Sequence, residues 1–138
     1  MGNLWPEGFE KTKHRTAKEI LEEQAQYLPK LTGDLVYASI ENEPSFSILY
    51  GVTGDFVFSF SIKGKFVPNY KYVVFYFGHD VEIYPVRITL QDERISQELK
   101  IEQKLKVNNE DEFIKLLEGI FRSKRLGYII GSIMTLSK

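Results

Sequence analysis

Residues 46–62 read FSILYGVTGDFVFSFSI, and their alternation sets the fold class. Phe46, Ile48, Tyr50 and Val52 fall on every second residue, and Phe56, Phe58, Phe60 and Ile62 continue at the same parity. A period of two is that of a strand with one buried face. Thr53-Gly54-Asp55 between the runs supplies turn residues, so the stretch predicts a hairpin. One long strand kinked at glycine is the competing reading, because the parity never changes. Phe56, Phe58 and Phe60 are expected to share a buried face, each contributing about 1.5–3 kcal/mol on burial.

Strands are expected on both sides of this stretch. Upstream, Leu35 and Tyr37 alternate with Val36, Ala38 and Ile40, and Asn42-Glu43-Pro44-Ser45 reads as a turn. Downstream, Gly64 to Asn69 reads as a connection, and Tyr70 to Phe77 is apolar except at Lys71, as in a strand covered on both faces. Gly78-His79-Asp80 suggests the next turn. Val81 and Ile83 are odd whereas Val86, Ile88 and Leu90 are even, which places a bulge at Tyr84-Pro85. Leu99, Ile101, Leu105 and Val107 alternate with Glu98, Lys100, Glu102, Lys104 and Lys106, predicting a strand with one wet face. A helix over 97–107 is the alternative, since Ile95 and Leu99 are four apart.

The flanks change to a helical period. Thr16-Ala17-Lys18-Glu19 has the form of a capping box, and Ala17, Ile20, Leu21, Gln24, Leu28 and Leu31 follow on one face. Pro29 disturbs the last turn and Gly33 ends it. Asn109, with Glu112 three residues on, opens a helix carrying Phe113, Ile114, Leu117, Ile120 and Phe121 inward. Ser123 caps another, whose apolar set is Leu126, Ile129, Ile130, Ile133 and Met134. The reading is α+β: an antiparallel sheet of about five to six meandering strands, with an N-terminal helix and two C-terminal helices packed mainly on one face. Residues 1–15 are expected to form a loosely ordered arm, and residues 16–138 a single α+β domain.

Composition supports that class. The 138 residues are 43% hydrophobic and 27% charged, which argues against disorder, and 14% aromatic, which favours strands. A net charge of −1 supplies no field for nucleic acid or an anionic membrane. The lack of cysteine removes disulfides, thiolate chemistry and Cys-based zinc sites together. No signal pattern opens the sequence, and Leu126 to Leu136 falls short of the roughly 20 apolar residues that span a bilayer. A cytoplasmic location, with no membrane association, is the expectation.

Chemistry-bearing patterns are few. Glu98-Leu99-Lys100 on a strand, with Asp80 or Asp92 upstream, is the spacing of a Mg²⁺-dependent nuclease: carboxylates hold the metal and the lysine steadies the phosphate. An edge strand that alternates Glu and Lys against aggregation gives the same pattern. His79 beside Asp80 in a turn lacks the three or four converging ligands a metal wants. Gly51 to Asp55 lacks the Lys-Ser/Thr and helix of a phosphate loop, and no nucleophile elbow occurs, so no cofactor is expected. Two basic clusters, Lys11 to Lys18 and Arg122 to Arg125, are diluted by acidic residues close by in sequence, Glu19, Glu22, Glu23 and Glu110 to Glu112.

The last helix is broader in its apolar face than one sheet can cover, and Gly127 and Gly131 flatten one strip of it. Tyr128, Ile130 and Met134 are therefore the candidate binding residues, to be covered by the N-terminal arm, by a second copy or by a protein partner, with self-association ranked first. A non-catalytic interaction protein, using this helix or the aromatic sheet face, is the preferred function. A nuclease built on Asp80, Asp92, Glu98 and Lys100, or a binder of small apolar ligands, is the alternative.

Overall fold

The computed structural model describes residues 2–44 and 51–137. Its strands are β1 (Val36–Glu43), β2 (Phe56–Gly64), β3 (Val67–His79), β4 (Val86–Leu90) and β5 (Lys104–Val107). Its helices are α1 (Ala17–Ala25), α2 (Tyr27–Leu31), α3 (Glu93–Leu99), α4 (Glu110–Phe121) and α5 (Lys124–Leu136). The strands form one antiparallel sheet in the order β1-β2-β3-β4-β5, the meander that the alternation predicts. Phe46, Ile48 and Tyr50 lie outside the described residues. Residues 51–55 stand in no strand, so no continuous strand runs from Phe46 to Ile62.

Pairing register explains the core. One row runs Ile40, Phe60, Phe75 and Leu90 across four strands, and the next runs Phe58, Phe77, Ile88 and Leu105. Phe60 stacks on Phe75 and Phe58 on Phe77, with ring centroids 5.4 and 5.1 Å apart. Offset aromatic pairs of this kind add to what burial alone contributes. The helices close over these rows with Ile20 and Leu21, Ile95, Phe113 and Ile120, and Leu126 and Ile133, all buried. Phe58 and Phe60 are buried as expected, but Phe56 is 46% exposed, because it opens the strand and leans on His79 beyond the helices.

Six expectations are corrected. The connection after Gly64 is only Lys65-Phe66, and β3 starts at Val67. The unbroken apolar run in β3 arises from a register shift: Phe60 pairs with Phe75 but Ser61 with Val73, so Val74 is an extra residue and the inward parity changes from Tyr72 to Phe75. Gly78 and His79 still belong to β3. Val81 and Ile83 form no strand: Ile83 takes φ 77°, Tyr84–Pro85 is cis, and β4 pairing begins at Val86. Residues 97–107 divide between both readings, helix to Leu99 and strand from Lys104, with left-handed Lys100 (φ 57°) ending the helix. The first helix is interrupted at Gln26, where Pro29 has no N–H for the Ala25 carbonyl, but Gln26 keeps helical dihedrals (φ −65°, ψ −24°) and α2 follows directly.

Caps fall where the residue types place them. Thr16 Oγ1 accepts the Glu19 amide at 3.1 Å while Glu19 accepts that of Thr16. Asn109 Oδ1 accepts the Glu112 amide at 2.9 Å, and Ser123 Oγ that of Leu126 at 3.2 Å. The sheet's second face is partly covered by residues 51–54. Thr89 Oγ1 donates to the Gly51 carbonyl and Arg87 Nε to that of Thr53. A Cβ at Gly78 would meet Val52 Cγ1 at 2.7 Å, so only glycine admits this crossing.

Candidate functional site

The broad apolar stripes of α4 and α5 generate a cleft. At about 100° per residue, the set Ile120, Phe113, Leu117, Phe121 and Ile114 spans more arc than one sheet face covers. Phe113 and Ile120 therefore reach the core, whereas Phe121 is half-buried and Ile114 is 42% exposed, a correction to its inward assignment. In α5, Leu126 and Ile133 are buried while Ile130 and Met134 sit further round and are half-buried. The surplus edges of both helices face α1 and α2 across a gap of about 660 Å³. Its floor is Ala38, Phe60 and Ile62 of β1 and β2; its far wall includes Ile20, Leu28 and Leu31. Leu31 is 78% exposed, unusual for a leucine inside an apolar lining.

Two glycines shape the α5 wall. A Cβ at Gly127 or Gly131 would meet nothing within 4 Å, and both residues line the cleft. The polar groups around it are few: Gln24, Glu118 and Arg122 are exposed, and Thr32 is buried with its hydroxyl bonded to the Leu28 carbonyl. The lining is thus suited to apolar contact and carries no convergent acid–base pair.

Of the three binding candidates, Ile130 and Met134 line this cleft, and Tyr128 does not; Tyr128 is 68% exposed elsewhere on α5. The opposite wall is the apolar helical face read from the sequence, with Ile20, Gln24, Leu28 and Leu31 together in the lining; what the sequence does not convey is that this face borders a cleft shared with α5.

Of the four catalytic candidates, Asp92 and Glu98 both bond Arg125, and Asp80 is bonded to Asp55 and Arg87. Glu98 and Lys100 lie at the end of a helix rather than on a strand, which corrects their placement. The Glu98 carboxylate accepts the backbone amides of Lys124 and Arg125, at 2.7 and 3.1 Å, and so caps α5 from outside. Asp92 caps α3 through the Arg94 amide and accepts Arg125 Nε and the Tyr72 hydroxyl, both at 2.8 Å. Partial burial raises the Asp92 pKa, but hydrogen bonds from Arg125, the Arg94 amide and Tyr72 outweigh it and hold the carboxyl below its ordinary value. Burial, then the Asp92 hydrogen bond, pushes the Tyr72 phenol upward. Asp80 accepts the Asp55 amide at 3.0 Å and Arg87 at 3.2 Å, which lowers its pKa. Among the described residues no group of three or more His, Asp or Glu side chains is arranged to hold a metal. His79 is buried in β3 against Phe58, its Nδ1–H donating to the Asp80 carbonyl at 2.8 Å.

A second, polar depression lies between Tyr72, Asp92, Arg94, Gln97, Gln103 and Arg125. It contains the half-buried Tyr72–Asp92–Arg125 network, in which each group has its partner. Among the described residues no helix is long and apolar enough to cross a membrane. No protein-family model, no curated protein and no solved structure matches this chain.

Proposed function

We propose that the chain is a non-catalytic binding domain that receives an apolar segment of a protein in the cleft between α1–α2 and α4–α5. The observation that carries this reading is the α5 wall: two adjacent-turn glycines, with open space above each, inside a lining of Ile130, Met134, Leu126 and Phe121. Glycine in a helix interior costs roughly 1 kcal/mol relative to alanine. Here neither glycine is needed for φ or for packing within the chain, so the close approach they permit serves something outside it. The cleft is open along Leu31 and Ile114, which suits a segment laid across helix ridges better than an enclosed small molecule.

Titration with a synthetic amphipathic helical peptide, carrying apolar residues at i, i+3, i+4 and i+7, tests the reading. Amide shifts in α2, α4 and α5 are expected on binding, and Gly131→Glu should abolish them while the protein stays folded. Uptake of a long-chain fatty acid with no response to the peptide would transfer the cleft to the small-ligand alternative.

A further inference from the structure

The chain carries a second uncovered apolar element, and it matches the first. Residues 2–16 have no regular secondary structure, and within them Leu4, Trp5 and Phe9 are 83%, 73% and 76% exposed. Trp5 and Phe9 meet edge to face with ring centroids 6.0 Å apart, so they present one apolar knob. Among the described residues, positions 2–13 make no side-chain hydrogen bond or ion pair with the body of the domain. The arm is anchored only at its root. The Arg15 amide donates to Glu110 Oε1 at 3.1 Å, the Tyr84 hydroxyl donates to the Arg15 carbonyl at 2.9 Å, and the Arg15 guanidinium pairs with Glu23.

The Arg15–Glu110 bond sets the beginnings of α1 and α4 side by side. Leu4, Trp5 and Phe9 stay exposed and do not line the chain's own cleft, so the knob is free to seat on a neighbour. Ten residues separate Arg15 from Trp5, a reach of about 35 Å when extended. The fifteen residues of α1 and α2 (17–31) span roughly 22 Å as helix. The arm therefore covers the length of a facing cleft. The exposed Glu118 of the cleft is opposite in sign to Lys11 and Lys13 of the incoming arm, and the exposed Arg122 to its Glu7 and Glu10.

We propose that a second copy of this chain fills the cleft by inserting its own residues 4–9, and that the exchange is reciprocal about a two-fold axis. The proposal rests on the reading of the cleft as a seat for an apolar protein segment, and it names that segment. The indole of Trp5 lies on the open strip above Gly127 and Gly131, and Leu4 and Phe9 pack towards Ile130 and Leu31.

Trp5 is the only tryptophan in the sequence, so its emission reports the arm directly. The full chain is examined by sedimentation and by tryptophan emission and acrylamide quenching over a dilution series. Association is expected together with a blue shift and loss of quenching, both reversed on dilution. Gly131→Glu should abolish both, and Trp5→Ala/Phe9→Ala should weaken self-association roughly tenfold or more, over 1.4 kcal/mol. The double variant has no tryptophan, so a synthetic peptide of residues 2–13 added to it should bind with a blue shift of its own. Three results each overturn the exchange: Trp5 quenched freely at every concentration, a blue shift independent of concentration, or undiminished dimerisation of the double variant. If the exchange fails while the amphipathic peptide still binds, the cleft reading stands alone; if neither binds, both fall.

Discussion

Replacing Gly127 and Gly131 by alanine separates what α5 needs for folding from what its cleft face is for. Both residues lie inside a thirteen-residue helix, and an added Cβ meets nothing within 4 Å at either position. No cavity is filled and no contact is lost, so the change reduces to helix propensity, worth about 0.8–1 kcal/mol per site. The two sites are one turn apart on a solvent-facing strip, and their effects should nearly add, to about 1.5–2 kcal/mol. For a chain of this size that corresponds to a rise in Tm of roughly 5–8 °C. In urea unfolding the midpoint should increase with an unchanged m-value, as expected when only stability moves. The same double variant should bind the amphipathic peptide more weakly, because two methyl groups now stand where a second backbone or ring would rest. Greater stability with undiminished binding would refute the cleft assignment. Unchanged or reduced stability would refute the premise that these glycines are dispensable to the fold.

Further outcomes follow from the placement of the charged residues and the core. Glu98→Ala should cost about 1 kcal/mol by uncapping α5, and Glu98→Gln should recover part of it, since one amide oxygen can still accept; equal losses in the two variants by chemical denaturation would contradict the capping role. Asp92 has a folded pKa below its ordinary value, so its contribution is present above the unfolded carboxyl pKa near 3.8 and is lost as pH falls through the folded value. Arg125→Ala should therefore flatten the acid limb of a stability–pH curve, and an unaltered limb would show that Arg125 does not hold the carboxylate. Phe75→Ala removes a fully buried ring shared by Phe60 and Phe77 and should cost roughly 3–5 kcal/mol. A calorimetric loss under 1 kcal/mol would mean that the register described for β2 and β3 is wrong.

The elements most legible in the sequence are those whose signal is local. The three helix caps, at Thr16, Asn109 and Ser123, depend on side chains bonding within three residues of themselves, and each forms as its residue type predicts. Phe58, Phe60, Ile62, Ile88 and Leu90 announce their face by strict alternation. What alternation cannot convey is a change of partner. The extra Val74 moves β3 from even to odd parity, so its apolar run looks continuous although only one face at a time turns to the core. The break at Lys100 was equally opaque, since a single left-handed residue divides a helix from a strand without interrupting the spacing of apolar residues. The candidate site was half visible. The excess width of the α5 stripe marks Ile130 and Met134, but pairing that wall with Leu28 and Leu31 requires the tertiary placement of the first helix, which no local spacing conveys. Tyr128 broadens the apolar face in the sequence, yet one residue turns its side chain about 100° away from Gly127 and out of the cleft.

The two sides of the cleft differ in how they are fastened. α5 is held at its start by Glu98 on its first amides and by Asp92 on Arg125, and near its end by Ile133, which sits so close to Gly64 that a Cβ there would collide with it. The opposite rim, α2, is five residues long and contains no buried residue; behind it Thr32 Oγ1 bonds the Leu28 carbonyl and the Val36 amide. Under the proposed binding role the cleft would be a clamp whose α5 jaw is the more firmly fastened of the two, so that α2 would be the side to adjust to an occupant. In hydrogen exchange, α2 amides should open far more readily than those of α5, and an occupant should slow exchange chiefly in α2.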